Sequence, residues 1–345
     1  MSNQSAYTAA GVDIDAMMDV LTSARERIRR TNTRGVVSEI GSFGGLHRSP
    51  SSKSLLVSSI DGVGTKLQVA NLARVHHTVG QDLVNHCVND IVTQGAKPLF
   101  FLDYLGTSKL EPSVFSEILE GLCIACEQNK CSLIGGETAE MPGLYPEGEY
   151  DLVGTVVGSV KRKNIITGES IREGDAIIGM PSSGLHTNGY SLARKVIFDH
   201  AGLTCDDVMP GTTRRVDHIL LAVHKSYLLP IQKLVKEVNI RGVAHITGGG
   251  LMDNVPRILP DGVYAEIDQG AWTIPPVFKF IATAGGVPTD EMYRVFNMGI
   301  GMVVIVRPRE AETSLKVLRT AGEESRLIGV VRRGNRGVRL VSRPT

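Results

Sequence analysis

The chain has 345 residues, of which 37 are Lys or Arg and 36 are Asp or Glu, so its formal net charge is +1. Hydrophobic residues make up 42% and charged residues 21%, which excludes a disordered, collagen-like or coiled-coil protein for most of the chain. This length predicts two domains of about 150 residues each. Because the charge is balanced, we expect neither nucleic acid nor a membrane as a partner.

Three features bear on where the protein works. The longest apolar runs, such as residues 302–306, are far shorter than the ~18 residues that span a bilayer. Residues 1–5 do not show the basic start of a secretory signal. Five cysteines in a chain of this length do not indicate a disulfide framework. We therefore expect a soluble protein of a reducing compartment, the cytoplasm.

The first 168 residues divide into an arm and a domain. Residues 1–50 are polar and glycine-rich, with one helix predicted by the spacing of Met18, Leu21, Ala24 and Ile28. Residues 41–45, GSFGG, indicate either a mobile terminus or a flap over a ligand. Over 51–168, strands are predicted at 55–60, 98–103, 131–134 and 152–160, and helices after residue 66, at about 80–95 and at 113–129.

The polar stretch from Lys161 to Gly174 predicts a domain junction. Beyond it, strands are predicted at 176–180, 244–246, 263–267, 301–306 and 327–331, and helices from Tyr190, from about Leu251 and over 313–321. The pattern predicts a mixed α/β (α+β) protein with an arm over 1–50 and domains over 51–168 and 169–345. Each domain is expected to hold a mixed sheet packed with helices.

Residues 61–66, DGVGTK, place a carboxylate, small residues and a cation after a predicted strand. The backbone of Gly62, Gly64 and Thr65 could hold phosphate oxygens, while Asp61 could hold Mg²⁺ and Lys66 could neutralise a terminal phosphate. An ordinary Asp-Gly turn is the alternative. Neither a Walker A sequence nor a dinucleotide-binding G-x-G-x-x-G after a strand is present in the sequence.

Two further segments repeat this logic. Asp90 lies in the apolar helical context CVNDIV, where a carboxylate is costly to bury unless it is paired or bound to a metal. An exposed turn of helix is the alternative. Gly136, Glu137 and Thr138 follow another predicted strand. Several strand-end carboxylates near glycine turns are what a metal–phosphate site requires.

Two loops of the second half carry a high density of hydrogen-bonding groups. These are Ser182, Ser183, Gly184, His186 and Asn188 in the first loop and Thr247, Gly248 and Gly249 in the second. The first loop could bind a phosphorylated substrate, with His186 as an acid, base or nucleophile, or could be a helix start capped by Asn188. The second is an anion-site candidate or a flexible turn.

The cysteine spacing also allows two interpretations. Cys123-x-x-Cys126 resembles half of a zinc or redox motif. However, Phe115, Leu122 and Cys126 fall on one helical face, and Cys131 is at the wrong spacing for a second metal-binding pair. We therefore interpret the pair as buried thiols.

Eight segments, in order and with little insertion, resemble the phosphoribosylformylglycinamidine cyclo-ligases, which are the aminoimidazole ribonucleotide synthetases. They are residues 7–15, 61–66, 89–96, 100–104, 135–143, 182–192, 245–250 and 291–299. Together these motifs are highly specific, and residues 135–143, GGETAEMPG, separate this family from more distant relatives of the same architecture.

The resemblance implies an ATP- and Mg²⁺-dependent ligase of purine biosynthesis. Such an enzyme closes the imidazole ring of formylglycinamidine ribonucleotide and yields aminoimidazole ribonucleotide, ADP and phosphate. Phosphorylation makes the amide oxygen a leaving group, and the neighbouring amidine nitrogen then attacks within the same molecule. The resemblance also implies that 51–168 binds ATP and that N-terminal strands from two chains form a barrel in a homodimer.

The resemblance assigns roles to the residues named above. Asp61, Asp90 and Glu137 would bind Mg²⁺. ATP phosphates would contact Gly44 of the arm, Gly62, Gly64, Thr65, Lys66, Gly136, Glu137 and Thr138. The two loops, with Ser182, Ser183, Gly184, His186, Asn188, Thr247, Gly248 and Gly249, would hold the substrate. Lys66 and His186 would be catalytic.

Other functions remain open at this point. Kinases and hydrogenase-maturation proteins share the architecture that the resemblance implies, but some need an N-terminal or C-terminal cysteine. Here the first cysteine is Cys87 and the chain ends in VSRPT. A non-catalytic ATP-binding scaffold is a further alternative, although it would have no need of the carboxylates Asp61 and Asp90.

Overall fold

The computed structural model describes residues 53–342 together with residues 6, 36, 37, 43 and 45–49. The helix predicted from Met18 to Ile28 lies outside these residues. Most of the segment 41–45 also lies outside them, including the predicted ATP contact Gly44.

The first half forms a five-stranded sheet. Its strands are β1 (Gly45–Arg48), β2 (Ser54–Gly62), β3 (Lys97–Thr107), β4 (Ser132–Glu140) and β5 (Tyr150–Lys161), in the order β1-β2-β5-β3-β4. Only β3 and β4 pair in parallel. Along β5, buried and half-buried residues alternate, because one face of the sheet packs on helices.

Over residues 53–168, this half has three α-helices: α1 (Lys66–Ala73), α2 (His77–Val92) and α3 (Pro112–Gln128). α2 and α3 approach closely at Gly121, where an added Cβ would lie 2.0 Å from the His77 carbonyl oxygen. Fourteen residues of α2 are buried, so this helix is enclosed on nearly all sides. Four polar residues at helical spacing, Asp82, His86, Asn89 and Asp90, form one side of α2, and this polar side faces protein and not solvent.

The second half forms a six-stranded sheet. Its strands are β6 (Ala176–Pro181), β7 (Gly242–His245), β8 (Val263–Asp268), β9 (Ile300–Val306), β10 (Arg326–Arg333) and β11 (Val338–Val341), in the order β11-β8-β10-β6-β9-β7. All residues of β9 are buried. The sheet is antiparallel except for the pair β8–β11.

Seven α-helices accompany this second sheet in the described residues. They are α4 (Tyr190–Arg194), α5 (Val216–Leu220), α6 (Leu228–Glu237), α7 (Gly250–Asn254), α8 (Pro276–Gly285), α9 (Thr289–Val295) and α10 (Ala311–Thr320). A π-helical turn, Lys195–His200, continues α4. α4 and α7 begin directly after the two loops predicted to bind substrate.

The predicted mixed α/β fold with two helix-packed sheets is confirmed. One element was wrong: β4 does not end before the glycine pair but continues through Gly136 to Glu140, so these residues lie in an edge strand and not in a turn. The described part of the first sheet is open, and the barrel between two chains stays a prediction, as do the boundaries at 50 and 168. No helix among the described residues is long and apolar enough to cross a membrane.

Candidate active site between the two sheets

The polar side of α2 meets the loops of the second sheet, and a buried ion pair lies at this contact. Lys66 and Asp82 are both fully buried, with Nζ and Oδ2 2.7 Å apart. Lys66 Nζ also donates to the carbonyl oxygens of His186 (3.1 Å) and Ala222 (2.8 Å). Asp82 Oδ1 accepts a hydrogen bond from the His224 backbone N–H (2.6 Å).

These contacts fix the role of Lys66. The three acceptors around Nζ match the three N–H groups of an ammonium that faces the Asp82 carboxylate. Burial lowers the pKa of Lys66 and raises that of Asp82, so each charge depends on the other. The geometry argues against phosphate binding by Lys66, since the ammonium is fully occupied inside the protein and joins the two halves of the chain.

A chain of polar contacts runs beside this pair. His86 Nε2 lies 2.9 Å from Asp61 Oδ2, and His86 Nδ1 lies 2.8 Å from the Thr187 hydroxyl. The Thr187 hydroxyl is also 3.3 Å from His224 Nδ1. These contacts connect β2 and α2 with the loop that follows β6.

The chain continues to the second predicted metal ligand. His224 Nε2 lies 3.0 Å from His245 Nε2, and His245 Nδ1 lies 2.8 Å from Asp90 Oδ1. Asp90 Oδ2 accepts a hydrogen bond from the Ser59 hydroxyl (2.9 Å). The network therefore links Asp61 to Asp90 and closes on itself, because ligand atoms of His86, Asp90 and His245 all lie within 4.8 Å of one another.

The histidines of this network differ in charge. Burial opposes the charged form of His86, but Asp61, with Asp90 and Asp82, raises its pKa to about 9. Burial and the neighbouring positive groups hold the pKa values of His186 and His224 well below 6.5. At neutral pH, His86 is an imidazolium beside Asp61, while His186 and His224 are neutral.

His186 lies inside the protein, not at an open surface. Its side chain is 1% exposed and stacks on His224 with ring centroids 3.9 Å apart. Its Nε2 accepts a hydrogen bond from the Ser183 backbone N–H (3.1 Å), and its backbone adopts a left-handed φ of +63°. This placement supports the shape of the loop and gives no direct path from the imidazole to a substrate.

The two predicted substrate loops do meet. The Asn188 side-chain oxygen lies 3.2 Å from the position that a Cβ on Gly248 would occupy. Asn254 at the end of α7 holds the second loop, because its amide donates to the carbonyl oxygens of Thr247 (3.3 Å) and Gly248 (3.2 Å). Asn188 and Gly248 are partly exposed, so a ligand can reach them.

The serines of the first loop are used within the protein. Ser182 Oγ contacts the Gly184 carbonyl oxygen (2.9 Å) and Asn297 Oδ1 (3.1 Å), and Asn297 also donates to Gly184 (2.8 Å). Ser183 Oγ donates to the Val223 carbonyl oxygen (2.5 Å). Asn297 therefore stabilises the first predicted substrate loop. It lies in residues 291–299, one of the eight segments that resemble the cyclo-ligase family.

The predicted phosphate loop after β2 is partly open. Gly64 and Thr65 are exposed, whereas the Gly62 N–H donates to Asp61 Oδ1 (2.8 Å). The Thr65 hydroxyl lies 3.2 Å from that of Ser191 in α4. Gly64 and Thr65 are thus available to a phosphate, while the Gly62 N–H is already satisfied.

Glu137 lies apart from the other predicted metal ligands. The registers place Asp61, Gly154, Asp103 and Gly136 opposite one another across four strands. With strands ~4.8 Å apart, Gly136 is about 14 Å from Asp61. Glu137 is the next residue along β4, so its side chain points to the opposite face of the sheet. The structure does not bring Glu137 together with Asp61 and Asp90.

Gly136 and Thr138 lie with Glu137 on exposed strand β4. An added Cβ on Gly136 would lie 2.7 Å from the Asp103 backbone carbonyl oxygen and 2.4 Å from Asp103 Oδ1, so this position needs glycine because of the neighbouring strand. The glycine is explained by sheet packing, without a phosphate.

Two protein families together match most of the chain. The family described as "AIR synthase related protein, N-terminal domain" matches residues 44–160, and the family described as "AIR synthase related protein, C-terminal domain" matches residues 172–342. A phosphoribosylformylglycinamidine cyclo-ligase from Trichlorobacter lovleyi is 50% identical over 94% of each chain. Another, from Alkaliphilus metalliredigens, is 44% identical over 97% of each chain. The chain belongs to the phosphoribosylformylglycinamidine cyclo-ligase family.

Solved structures share the fold at low identity. "AaThiL complexed with AMPPCP and TMP" has a TM-score of 0.65 at 16% identity and covers 95% of this chain and 94% of that one. "T. maritima PurL complexed with ADP" has a TM-score of 0.62 at 15% identity and covers 93% of this chain and 46% of that one. Identities this low show the fold alone, whereas the cyclo-ligase relatives confirm the predicted family.

Several residues of the histidine network were not predicted from the sequence. Asp82 and His86 lie at helical spacing on one polar side of α2, but their partners Thr187 and His224 were not singled out from the sequence. The signal for α2 was present, because polar residues at helical spacing interrupt an otherwise apolar helix. His224 gave no signal, since a single histidine in the segment AVHKSY has no periodic or motif context.

Proposed function

We propose that this chain catalyses the ATP-dependent closure of formylglycinamidine ribonucleotide to aminoimidazole ribonucleotide, with release of ADP and phosphate. The main support for this proposal is the similarity of the chain to phosphoribosylformylglycinamidine cyclo-ligases. These relatives are 44–50% identical over at least 94% of both chains. The buried network that links Asp61 to Asp90 supports the proposal, since a scaffold has no need of these carboxylates.

Asp61 and Asp90 fit a magnesium ion by the chemistry of their donors. Carboxylate oxygens are the ligands that Mg²⁺ prefers, and the Asp61 side chain is 37% exposed, so a cation can reach it. Each carboxylate oxygen has a second lone pair beside its present hydrogen bond. Bound Mg²⁺ would neutralise the ATP phosphates, and Gly64 and Thr65 would contact the phosphates from the neighbouring loop.

The chain's own contribution to ring closure is positioning. Asn297 hydrogen-bonds to the loop that carries Asn188, and Asn254 hydrogen-bonds to the loop that carries Thr247. The polar groups of both loops are therefore in place before a substrate binds. Holding the amidine nitrogen next to the activated carbon turns the attack into an oriented reaction within one molecule. His186 contributes to the shape of this loop.

We further propose a homodimer formed by the outer face of the first sheet, in the cytoplasm. The registers place Ile60, Thr155 and Leu102 in one row across β2, β5 and β3, on the face opposite α2. Ile60 is 66% and Leu102 is 37% exposed, which is a high exposure for apolar residues on adjoining strands. A second copy would cover this face.

The dimer is tested by light scattering during gel filtration across a dilution series. Burying an isoleucine contributes about 1.5–3 kcal/mol, so Ile60→Asp should weaken self-association by about tenfold or more. Leu229→Asp is the matched control, because Leu229 is 47% exposed on α6 of the other half. A wild-type monomer, or equal effects of both substitutions, would contradict the proposed face.

The catalytic proposal is tested by following phosphate and the aminoimidazole product in the same reaction. With ATP, Mg²⁺ and formylglycinamidine ribonucleotide, both should appear in equal amounts, and neither should appear when the ribonucleotide is omitted. Phosphate without ring closure would indicate a related kinase. A folded protein that binds ATP and releases no product would indicate a scaffold.

A further inference from the structure

Two cysteines face each other where α3 ends and β4 begins. Cys126 lies in the last turn of α3, and the Cys131 backbone N–H donates to the Cys126 carbonyl oxygen (3.0 Å). Lys130 between them adopts a left-handed φ of +55°, which closes the turn as in a helix C-cap. Together with the bond from the Lys130 N–H to the Glu127 carbonyl oxygen (3.1 Å), this is a Schellman turn, in which the side chains at the positions of Cys126 and Cys131 pack against each other.

The two thiols differ in burial and in acidity. Cys126 is 3% exposed, whereas Cys131 is half-buried and reaches solvent. The neighbouring Cys126 thiol lowers the pKa of the Cys131 thiol, and Cys131 together with burial raises the pKa of Cys126. This is the arrangement of a reactive thiol beside a resolving thiol.

Asn129 holds the turn rigidly. Its side-chain amide donates to Asn85 Oδ1 (2.7 Å) and to the Ala125 carbonyl oxygen (2.8 Å), and its oxygen accepts a hydrogen bond from Ser226 (2.6 Å). These contacts fix the turn against α2 and the second half of the chain. The turn that carries both cysteines is therefore held in one conformation in the reduced protein.

We propose that Cys126 and Cys131 form a reversible disulfide, so that this turn is a site of oxidation by peroxides. The Cys131 thiolate attacks a peroxide oxygen of H₂O₂, the O–O bond breaks, and a sulfenic acid and hydroxide result. The Cys126 sulfur then attacks the sulfenic sulfur; an S–S bond forms, the S–O bond breaks, and hydroxide leaves with the Cys126 proton as water. Two thiols and one H₂O₂ give a disulfide and two waters, and a dithiol reductant reverses the change.

The pairing differs from the interpretation of the sequence, which joined Cys123 with Cys126. Cys123 is exposed on α3 and was wrongly taken as a buried thiol. It provides a matched control, because it lies one helical turn from Cys126 and carries the same chemical group.

The test uses the full chain, treated with H₂O₂, alkylated, digested without reductant and analysed by mass spectrometry. Wild type and Cys123→Ser should both give a linked 126–131 peptide that dithiothreitol removes, and Cys126→Ser and Cys131→Ser should lose it. Absence of the linked peptide from oxidised wild type, or links dominated by Cys123, would overturn the proposal. The wild-type result decides even if a variant fails to fold.

A second measurement, the pH dependence of Cys131 alkylation, tests whether the Cys126 thiol affects the pKa of Cys131. In Cys126→Ala, Cys131 loses the neighbouring thiol that lowers its pKa, so the pH at which its alkylation rate is half-maximal should move upward. We expect the pH of half-maximal Cys131 alkylation to be the same in Cys123→Ala as in the wild type. An unchanged profile in Cys126→Ala would overturn the assignment of Cys131 as the reactive thiol.

Discussion

Replacing Lys66 with Met tests whether this residue joins the two halves of the chain or binds phosphate. The substitution keeps much of the side chain's volume but leaves Asp82 ionised and fully buried without its partner, 2.7 Å from the former ammonium. It also removes the donor to the carbonyl oxygens of His186 and Ala222. If Lys66 instead bound phosphate, the loss would fall on ATP use and not on folding.

The size of the effect follows from these contacts. Removing one member of a buried ion pair costs about 3–5 kcal/mol, since an uncompensated charge remains. That is a large part of the ~5–15 kcal/mol by which folded proteins are stable. In the double variant Lys66→Met/Asp82→Asn, neither member of the pair carries a charge. The side-chain oxygen of the new Asn can still accept the hydrogen bond from the His224 N–H. We expect the double variant to be less destabilised than the sum of the single variants by about 2 kcal/mol or more.

The assay is urea unfolding of the wild type, both single variants and the double variant, followed by circular dichroism. The free energy of unfolding is extrapolated to water, with the slope checked for constancy. A coupling energy below about 0.5 kcal/mol would refute the reasoning, because that is the size expected for independent sites. Normal stability of Lys66→Met together with a raised KM for ATP would restore the phosphate-binding role.

Three further predictions address the site and its support. Asp61→Asn should raise the Mg²⁺ concentration needed for half-maximal turnover about tenfold or more, while Asp261→Asn, at a 95% exposed side chain, should leave it unchanged. The buried neutral His224 takes up a proton only on unfolding, since its pKa lies well below 6.5; stability should therefore fall as the pH drops below 6.5, by about 1.4 kcal/mol per pH unit for each such histidine. His224→Gln should reduce that slope in urea unfolding at pH 7 and 5.5. Gly121→Ala should destabilise by about 1–3 kcal/mol in the same assay, because its Cβ would meet the His77 carbonyl oxygen.

The sequence predicted the regular elements well where a period was present. The strands β2, β5 and β9 and the helices α2 and α3 all showed apolar residues at the spacing of their structure. β4 was cut short, because two glycines and a glutamate normally end a strand. Its register against β3, with Gly136 next to Asp103, is a tertiary constraint that a single strand does not show.

The site was predicted in part for a related reason. Asp90 was chosen because a carboxylate in an apolar context must be compensated, and that argument holds in any fold. Asp61 was chosen because it follows a predicted strand and precedes a glycine turn. What compensates them was not visible in the sequence. His86 stands beside Asp61 and His245 beside Asp90, and the second histidine lies 155 residues away from its carboxylate. The packing of α2 on β2 brings His86 to Asp61, and the packing of α2 against the second half brings His245 to Asp90.

Lys66 shows why a motif alone does not settle a role. A cation after a glycine turn predicts a phosphate contact when its side chain is assumed to face solvent. In the folded chain, Asp82 and two backbone carbonyl groups supply every acceptor that the ammonium needs. The same sequence, DGVGTK, thus separates into two functions: Asp61 and the exposed Gly64 and Thr65 remain open to a metal and a phosphate, while Lys66 fixes the loop that would hold the second substrate. Because the two functions meet at the contact between the sheets, weakening that contact should impair nucleotide use and ring closure together.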